Sequence, residues 1–132
     1  MSEHSAESMI GADRAAAMLG IELLGAGDGT ARTIMTVRPD MVNGLDLCHG
    51  GLVATLADTA FAAACNSRSR VTVAAGFDVT FLRPGKVGDR LLAEAREVVL
   101  QGRSGVYDVV VTREKDGSMV AVFRGRSRAT GA

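Results

Sequence analysis

The sequence predicts an α+β domain in which one antiparallel sheet covers one side of a single apolar helix. A run of small and apolar residues over about 51–65 has the length of a helix, and four long β-like runs follow it. The chain has 132 residues, of which 47% are hydrophobic, and this is enough for one core at ordinary domain sizes. We therefore expect a single domain over residues 1–132.

The elements before the central helix are predicted from local capping and turn signals. Residues of about 5–19 are rich in alanine and end at Gly20, which suits a helix C-cap, so we expect one short N-terminal helix there. Two β-like segments follow on either side of Asp28-Gly29, a common hairpin dipeptide. Residues 40–51 form a polar, glycine-containing connector that leads into the central helix.

The second half of the chain has the pattern of consecutive antiparallel strands. The β-like runs are residues 71–82, 90–100, 106–113 and 119–128. Turn residues separate them, at Arg83-Pro84-Gly85, at 101–105 and at Asp116-Gly117. Connections this short join neighbouring antiparallel strands, and this predicts one sheet.

The charge balance excludes several classes of partner. The chain has 15 basic and 15 acidic residues and a formal net charge of +0, so it lacks the cationic field of nucleic-acid-binding proteins. Two cysteines and two histidines are too few for a disulfide framework or a Cys/His zinc site. No window has the pattern of a signal peptide or a membrane span. We expect a cytoplasmic protein with no nucleic acid, no membrane and no metal as partners.

Basic residues are concentrated late in the chain, and most of them are arginines. Residues 1–66 contain 3 basic and 8 acidic groups, whereas residues 67–132 contain 12 basic and 7 acidic groups. Arginine suits bidentate contacts with phosphates, so a small polyanionic ligand fits this excess, and a compositional bias toward arginine explains it equally well. The candidates for phosphate contacts are Arg83, Arg103, Arg124, Arg126 and Arg128, and for each of them a solvated strand face is the alternative.

The central helix carries a polar stripe on an otherwise apolar surface. Four polar side chains fall within one face about 100° wide, namely Thr55, Asp58, Thr59 and Asn66. A single sheet covers only the opposite, apolar face of the helix. The natural cover for the polar face is a second copy of the chain, so we predict a homodimer.

Asp58 is the only charged residue in the predicted helix. Burying a carboxylate without partners is costly, so its presence requires either hydrogen bonds or a function. In the structural interpretation it caps a neighbouring backbone or pairs with an arginine across an interface. In the functional interpretation it is a general base or a nucleophile in a semi-enclosed site.

The start of the helix supplies a second candidate group. His49-Gly50-Gly51 places unpaired backbone N–H groups and the positive end of the helix dipole where they can hold a developing oxyanion, although such glycines are often only a turn. Asp58 follows two turns later. We expect the oxyanion donor and the carboxylate to lie at the two ends of a gap that fits a carbonyl carbon and a water.

Three more residues lie close to this helix start in the sequence. His49 suits a bracing or substrate-orienting role, because no serine or cysteine with an orienting acid completes a triad. Asn43 is either a turn residue or an amide donor to a carbonyl or a water. Cys48 fits a small buried residue better than a nucleophile.

These residues match a known family. The runs MVNG at 41–44, CHGG at 48–51, LADTAFA at 56–62 and ACNS at 64–67 closely resemble the hot-dog-fold thioesterases of the phenylacetic acid degradation (PaaI) type. The later runs FLRP at 81–84, GVYDV at 105–109 and VFRG at 122–125 agree with the strands of that family. The resemblance covers roughly residues 10–130.

The resemblance implies a fold, an activity and an assembly. The fold is a long central helix wrapped by an antiparallel sheet of five or six strands. The activity is hydrolysis of acyl-CoA thioesters, with aromatic acyl groups such as phenylacetyl preferred, as in phenylacetate degradation. CoA is part of the substrate and no other cofactor is required. The assembly is a homodimer with active sites at its interface, commonly paired into a homotetramer.

The resemblance also implies roles for individual residues. Asp58 would activate water or attack the carbonyl, the Gly50 amide would bind the oxyanion, and Asn43 would position water or the acyl group. The remaining candidates for contacts with the substrate are His49, Gly51, Thr59, Asn66, Arg83, Arg103 and Arg124, with pocket walls expected near Phe77, Phe81 and Leu82. A non-catalytic acyl-CoA-binding protein and a related hydratase or dehydratase are the alternatives.

Overall fold

A long helix lies against a six-stranded antiparallel sheet in the computed structural model, which describes residues 4–130. The helices are α1 (Ala6–Gly11), α2 (Arg14–Leu19) and α3 (Gly50–Asn66), with a short 3₁₀ turn at Pro39–Met41. The strands are β1 (Glu22–Gly27), β2 (Thr30–Thr36), β3 (Thr72–Phe81), β4 (Arg90–Gln101), β5 (Ser104–Arg113) and β6 (Met119–Ala129). Their order in the sheet is β1-β2-β4-β5-β6-β3, and the sheet is open. The predicted fold class is confirmed.

The N-terminal region differs from its prediction. The single helix expected over about 5–19 is two short helices, because Asp13 begins a new one. Its side chain accepts a hydrogen bond from the Ala16 N–H at 2.9 Å, which is the N-cap geometry that aspartate favours over a helix interior. The predicted C-cap is confirmed at Gly20, whose left-handed φ of 70° suits glycine.

Helix α3 extends one residue beyond the predicted 51–65 at each end. It begins after His49, whose φ of −57° and ψ of 130° are non-helical and whose side chain caps the first turn. Its buried side combines several alanines with the larger Val53, Leu56 and Phe61. Among residues 4–130 no helix is long and apolar enough to span a membrane.

Phe61 makes a close contact between α3 and the sheet. The ring is 1% exposed and lies 5.6 Å from the Tyr107 ring and 5.7 Å from the Phe123 ring, centroid to centroid. It lies directly over Gly125 of β6, where an added Cβ would come within 2.8 Å of three ring carbons. A side chain at position 125 would therefore push the helix away from the sheet.

We expect this contact to control stability. Phe61→Ala should lower the free energy of unfolding by about 3–5 kcal/mol, because it leaves a cavity in the core. Gly125→Ala should lower it by about 1–3 kcal/mol, because the added methyl group overlaps the ring. Urea unfolding at one fixed protein concentration measures both values.

The matched control is Gly25→Ala in β1, where an added Cβ would meet no atom within 4 Å. Its free energy of unfolding should stay within about 0.5 kcal/mol of the wild-type value. If Gly25→Ala and Gly125→Ala lowered the free energy of unfolding equally, the contact of Phe61 with Gly125 would not control stability.

Candidate active site

Two backbone hydrogen bonds fix the start of α3. The Cys48 N–H donates to the Gly85 carbonyl at 2.7 Å, and the His49 N–H donates to the Met41 carbonyl at 2.8 Å. Gly85 lies between β3 and β4, and an added Cβ there would lie 3.3 Å from the Cys48 Cβ. The first turn of the helix is therefore held against the end of β3.

The first two amides of α3 differ in what they bind. The Gly51 N–H faces the Nδ1 atom of the His49 side chain at 3.4 Å, and this requires an unprotonated Nδ1. Within residues 4–130 the Gly50 N–H has no hydrogen-bond acceptor. Gly50 therefore presents the free donor at the positive end of the helix.

Asn43 lies beside this free amide and organises the loop that precedes it. Its Oδ1 atom accepts hydrogen bonds from the Leu45 N–H at 2.8 Å and the Leu47 N–H at 3.2 Å, which confirms the turn interpretation. Its Nδ2 group has no acceptor in the described part of the chain. Asn43 and Gly50 line one surface cavity of about 360 Å³.

Of the five arginines predicted as candidates for phosphate contacts, only Arg83 lines this cavity. Arg124 lies on the sheet face away from α3 and forms a two-point ion pair with Asp108 at 2.7 and 2.9 Å. Arg103 lies in the turn between β4 and β5, beside Cys65 at the far end of α3. The structure therefore separates these three side chains instead of gathering them at one ligand.

The Asp58 carboxylate is half-buried and has no hydrogen bond or ion pair with any residue of the described chain. Burial raises its pKa above the ordinary value, and the charge of Asp13 adds to this shift. Asp13 was not predicted as a site residue, and its only signal in the sequence is its N-cap position. An acidic side chain without a partner is unusual in a merely structural role.

The expected short gap between Gly50 and Asp58 is wrong. The two residues are eight positions apart on one straight helix, and a rise of 1.5 Å per residue separates them by about 12 Å. Asp58 also does not line the cavity that contains Gly50. A single carbonyl group in one chain cannot contact both.

Comparison with known proteins identifies the family. The sequence model of the thioesterase superfamily matches residues 45–120, which include all of α3 and the strands β3 to β5. The chain belongs to the thioesterase superfamily. Over 128 residues it is 44% identical to acyl-coenzyme A thioesterase PaaI of Escherichia coli strain K12, covering 96% of this chain and 90% of that relative.

Solved structures of similar proteins have the same fold. The E. coli PaaI protein from the phenylacetic acid degradation operon superimposes with a TM-score of 0.93 at 41% identity, covering 97% of this chain and 92% of that one. A Streptococcus mutans protein bound to acetyl CoA superimposes with a TM-score of 0.80 at 26% identity, covering 84% and 89% of the two chains. The hot-dog fold predicted from the sequence is confirmed.

Two residues of the predicted polar stripe are buried and bonded to their own chain. The Thr59 hydroxyl donates to the Thr55 carbonyl at 2.7 Å. The Asn66 amide donates to the Ala62 and Thr72 carbonyls at 2.8 and 2.9 Å, and its oxygen accepts from the Thr72 N–H at 3.0 Å. Asn66 therefore ties the end of α3 to β3. Its contact with substrate stays a prediction beside this structural role.

Neither cysteine of this thioesterase has an activated thiol. Burial raises the pKa of Cys48, and burial raises the pKa of Cys65 to about 12. Both shifts oppose thiolate formation, so the nucleophile interpretation of Cys48 has no support. Within residues 4–130 no three histidine, cysteine, aspartate or glutamate side chains form a group that fits a metal ion.

The raised pKa of Asp58 predicts that the ionised carboxylate lowers the stability of the fold. Above this pKa the ionised carboxylate destabilises the fold, and the penalty disappears as the pH falls through the raised value toward the ordinary 3.8. Asp58→Asn should therefore raise Tm at about pH 7 and leave it unchanged at about pH 3. Scanning calorimetry at the two pH values measures this.

The control is Asp46→Asn, which changes an exposed carboxylate in the loop before α3. Its Tm should equal that of the wild type at both pH values. A lower Tm for Asp58→Asn at neutral pH would mean that the carboxylate has a stabilising partner.

Proposed function

We propose that this thioesterase hydrolyses acyl-CoA thioesters to the free acid and CoA, with aromatic, phenylacetyl-type acyl groups preferred. The observation that carries the proposal is the pair of unengaged groups on α3, the free Gly50 amide and the half-buried Asp58 carboxylate. The E. coli relative whose name specifies acyl-coenzyme A as substrate supports the choice of thioester.

In the proposed reaction the thioester carbonyl accepts a hydrogen bond from the Gly50 N–H. A water molecule loses a proton to Asp58 as its oxygen attacks the carbonyl carbon, and the oxyanion forms at the positive end of α3. The C–S bond then breaks and the CoA thiolate leaves. Direct attack by Asp58, followed by hydrolysis of the resulting anhydride, uses the same groups.

The distance along α3 implies a site shared by two chains. We propose a homodimer in which the α3 helices run antiparallel, so that Gly50 of one protomer faces the other protomer's Asp58. The exposed edge of β3 supports this assembly, because β3 pairs only with β6 in the described chain and exposes Val73 and Phe77. Two such dimers would form the expected homotetramer.

The other residues of the cavity have supporting roles in this proposal. Asn43 offers its Nδ2 group to the attacking water or to the acyl group. His49 keeps the Gly51 amide occupied, so that the carbonyl meets one donor instead of two. Arg83, whose Nη1 atom donates to the Met119 carbonyl at 3.0 Å, retains further N–H groups for a CoA phosphate.

Release of CoA thiol tests the proposed reaction. Wild-type protein should release thiol rapidly from phenylacetyl-CoA and other aryl substrates, and Asp58→Asn should reduce kcat by about 10²–10⁴-fold with the fold and dimer intact. Glu22→Gln, which changes an exposed carboxylate on β1 that forms no ion pair within the described residues, is the matched control and should retain wild-type activity. Full activity of Asp58→Asn would exclude the assigned role, and tight binding without release by the wild type would favour a non-catalytic acyl-CoA-binding protein.

The shared site makes a prediction about mixed dimers. Gly50→Pro removes the candidate amide, and proline suits the first helical position and the φ of −57° and ψ of 130° at His49. The Cβ that it adds against Phe81 is shared with Gly50→Ala, so the difference between these two variants isolates the amide. When refolded together, the inactive Gly50→Pro and Asp58→Asn chains should recover about a quarter of wild-type activity, since about half of random pairs are hybrids with one intact site each.

The comparison variant is Gly50→Ala, which adds a Cβ but keeps the N–H group. It should retain more activity than Gly50→Pro, by up to about 10²–10³-fold in kcat. If hybrid dimers form but recover no activity, the Gly50 amide and the Asp58 carboxylate do not act together across the dimer interface.

A further inference from the structure

Phe81 is the aromatic side chain that stands apart from the others. The chain has four phenylalanines, one tyrosine and no tryptophan. Ring contacts join the other four aromatic residues into one cluster, which consists of Phe61, Phe77, Tyr107 and Phe123. Phe81 makes no aromatic contact with the described residues, and it is 49% exposed. Both faces of its ring are therefore free of aromatic partners.

The tip of the Phe81 ring lies against Gly50, the residue that carries the free amide. A Cβ added to Gly50 would lie 3.0 Å from the Phe81 Cζ atom and 3.2 Å from its Cε2 atom. The backbone that follows is fixed, because the Leu82 N–H donates to the Val120 carbonyl at 2.8 Å. The ring tip is thus held against the first residue of α3, at the wall of the 360 Å³ cavity.

We infer that Phe81 determines the acyl specificity of the enzyme by offering its ring to an aromatic group bonded close to the thioester carbonyl. This inference rests on the proposed function, which places that carbonyl at the Gly50 N–H. A ring one carbon away from the carbonyl comes within the 4.5–7 Å centroid distance typical of aromatic pairs. The apolar side chains beside Phe81 in the cavity are aliphatic or proline, namely Leu47, Val53, Leu82 and Pro84. Phe81 is therefore the source of aromatic selection in this chain's cavity.

The contact with Phe81 also favours glycine at position 50. Its amide is the proposed oxyanion donor, and its missing side chain leaves the space that the Phe81 ring tip occupies. Any Cβ at this position displaces the ring, the backbone or both. Specificity and oxyanion binding are thus coupled through one contact.

The test compares substrates instead of absolute rates. Phe81→Leu keeps an apolar side chain and removes the flat ring. The ratio of kcat/KM for phenylacetyl-CoA to kcat/KM for hexanoyl-CoA should fall roughly two- to tenfold in this variant. Val87→Ala, an equally exposed apolar residue in the same connection but outside the cavity, should keep the wild-type ratio. Circular dichroism and gel filtration establish that both variants keep the fold and the assembly.

A double-mutant cycle tests the contact itself. Gly50→Ala combined with Phe81→Ala should release thiol from acetyl-CoA faster than Gly50→Ala alone, because the smaller side chain makes room for the new methyl group. An unchanged substrate ratio in Phe81→Leu, or no gain in the double variant, overturns the inference while wild-type thioesterase activity stands. Absence of thiol release by the wild type from every thioester overturns the proposed function, and this inference with it.

Discussion

The contact between Phe61 and Gly125 holds the central helix against the sheet, and the position of every site residue depends on it. Because β6 has no side chain at this point, the outer end of the ring packs directly onto the strand and α3 lies close to the sheet. The sheet covers one face of the helix, and α1 contacts it as well. Asp58 is half-buried and has no hydrogen-bond or ion-pair partner in the described chain.

The site uses groups that the fold leaves unsatisfied. An amide at the first residue of a helix has no partner within the helix, and at Gly50 neither the capping His49 side chain nor the preceding loop supplies one. A carboxylate with a raised pKa costs stability in its ionised form. Both features weaken the isolated fold slightly, and both are useful where a carbonyl must be polarised and a water deprotonated.

Spacing along α3 separates these two groups, and symmetry is the simplest way to join them. A helix is rigid over eight residues, so no side-chain rotation closes about 12 Å between Gly50 and Asp58. A two-fold axis across antiparallel helices brings each group of one copy to its complement on the other. In the proposed dimer, the edge of β3 that has no neighbouring strand in the described chain provides the surface on which the second copy pairs.

The sequence by itself determined the elements and the family. Apolar periodicity located α3 within one residue at each end, and the motif around Gly50 and Asp58 identified the thioesterase family. Capping signals extend over only a few residues. The alanine-rich run therefore outweighed the N-cap signal of Asp13, and the sequence predicted one helix where the structure has two. Only the tertiary structure decided that Asn66 is tied to β3 and Arg124 to Asp108. Those partners are brought together by strand pairing and helix packing, which side-chain type alone does not specify.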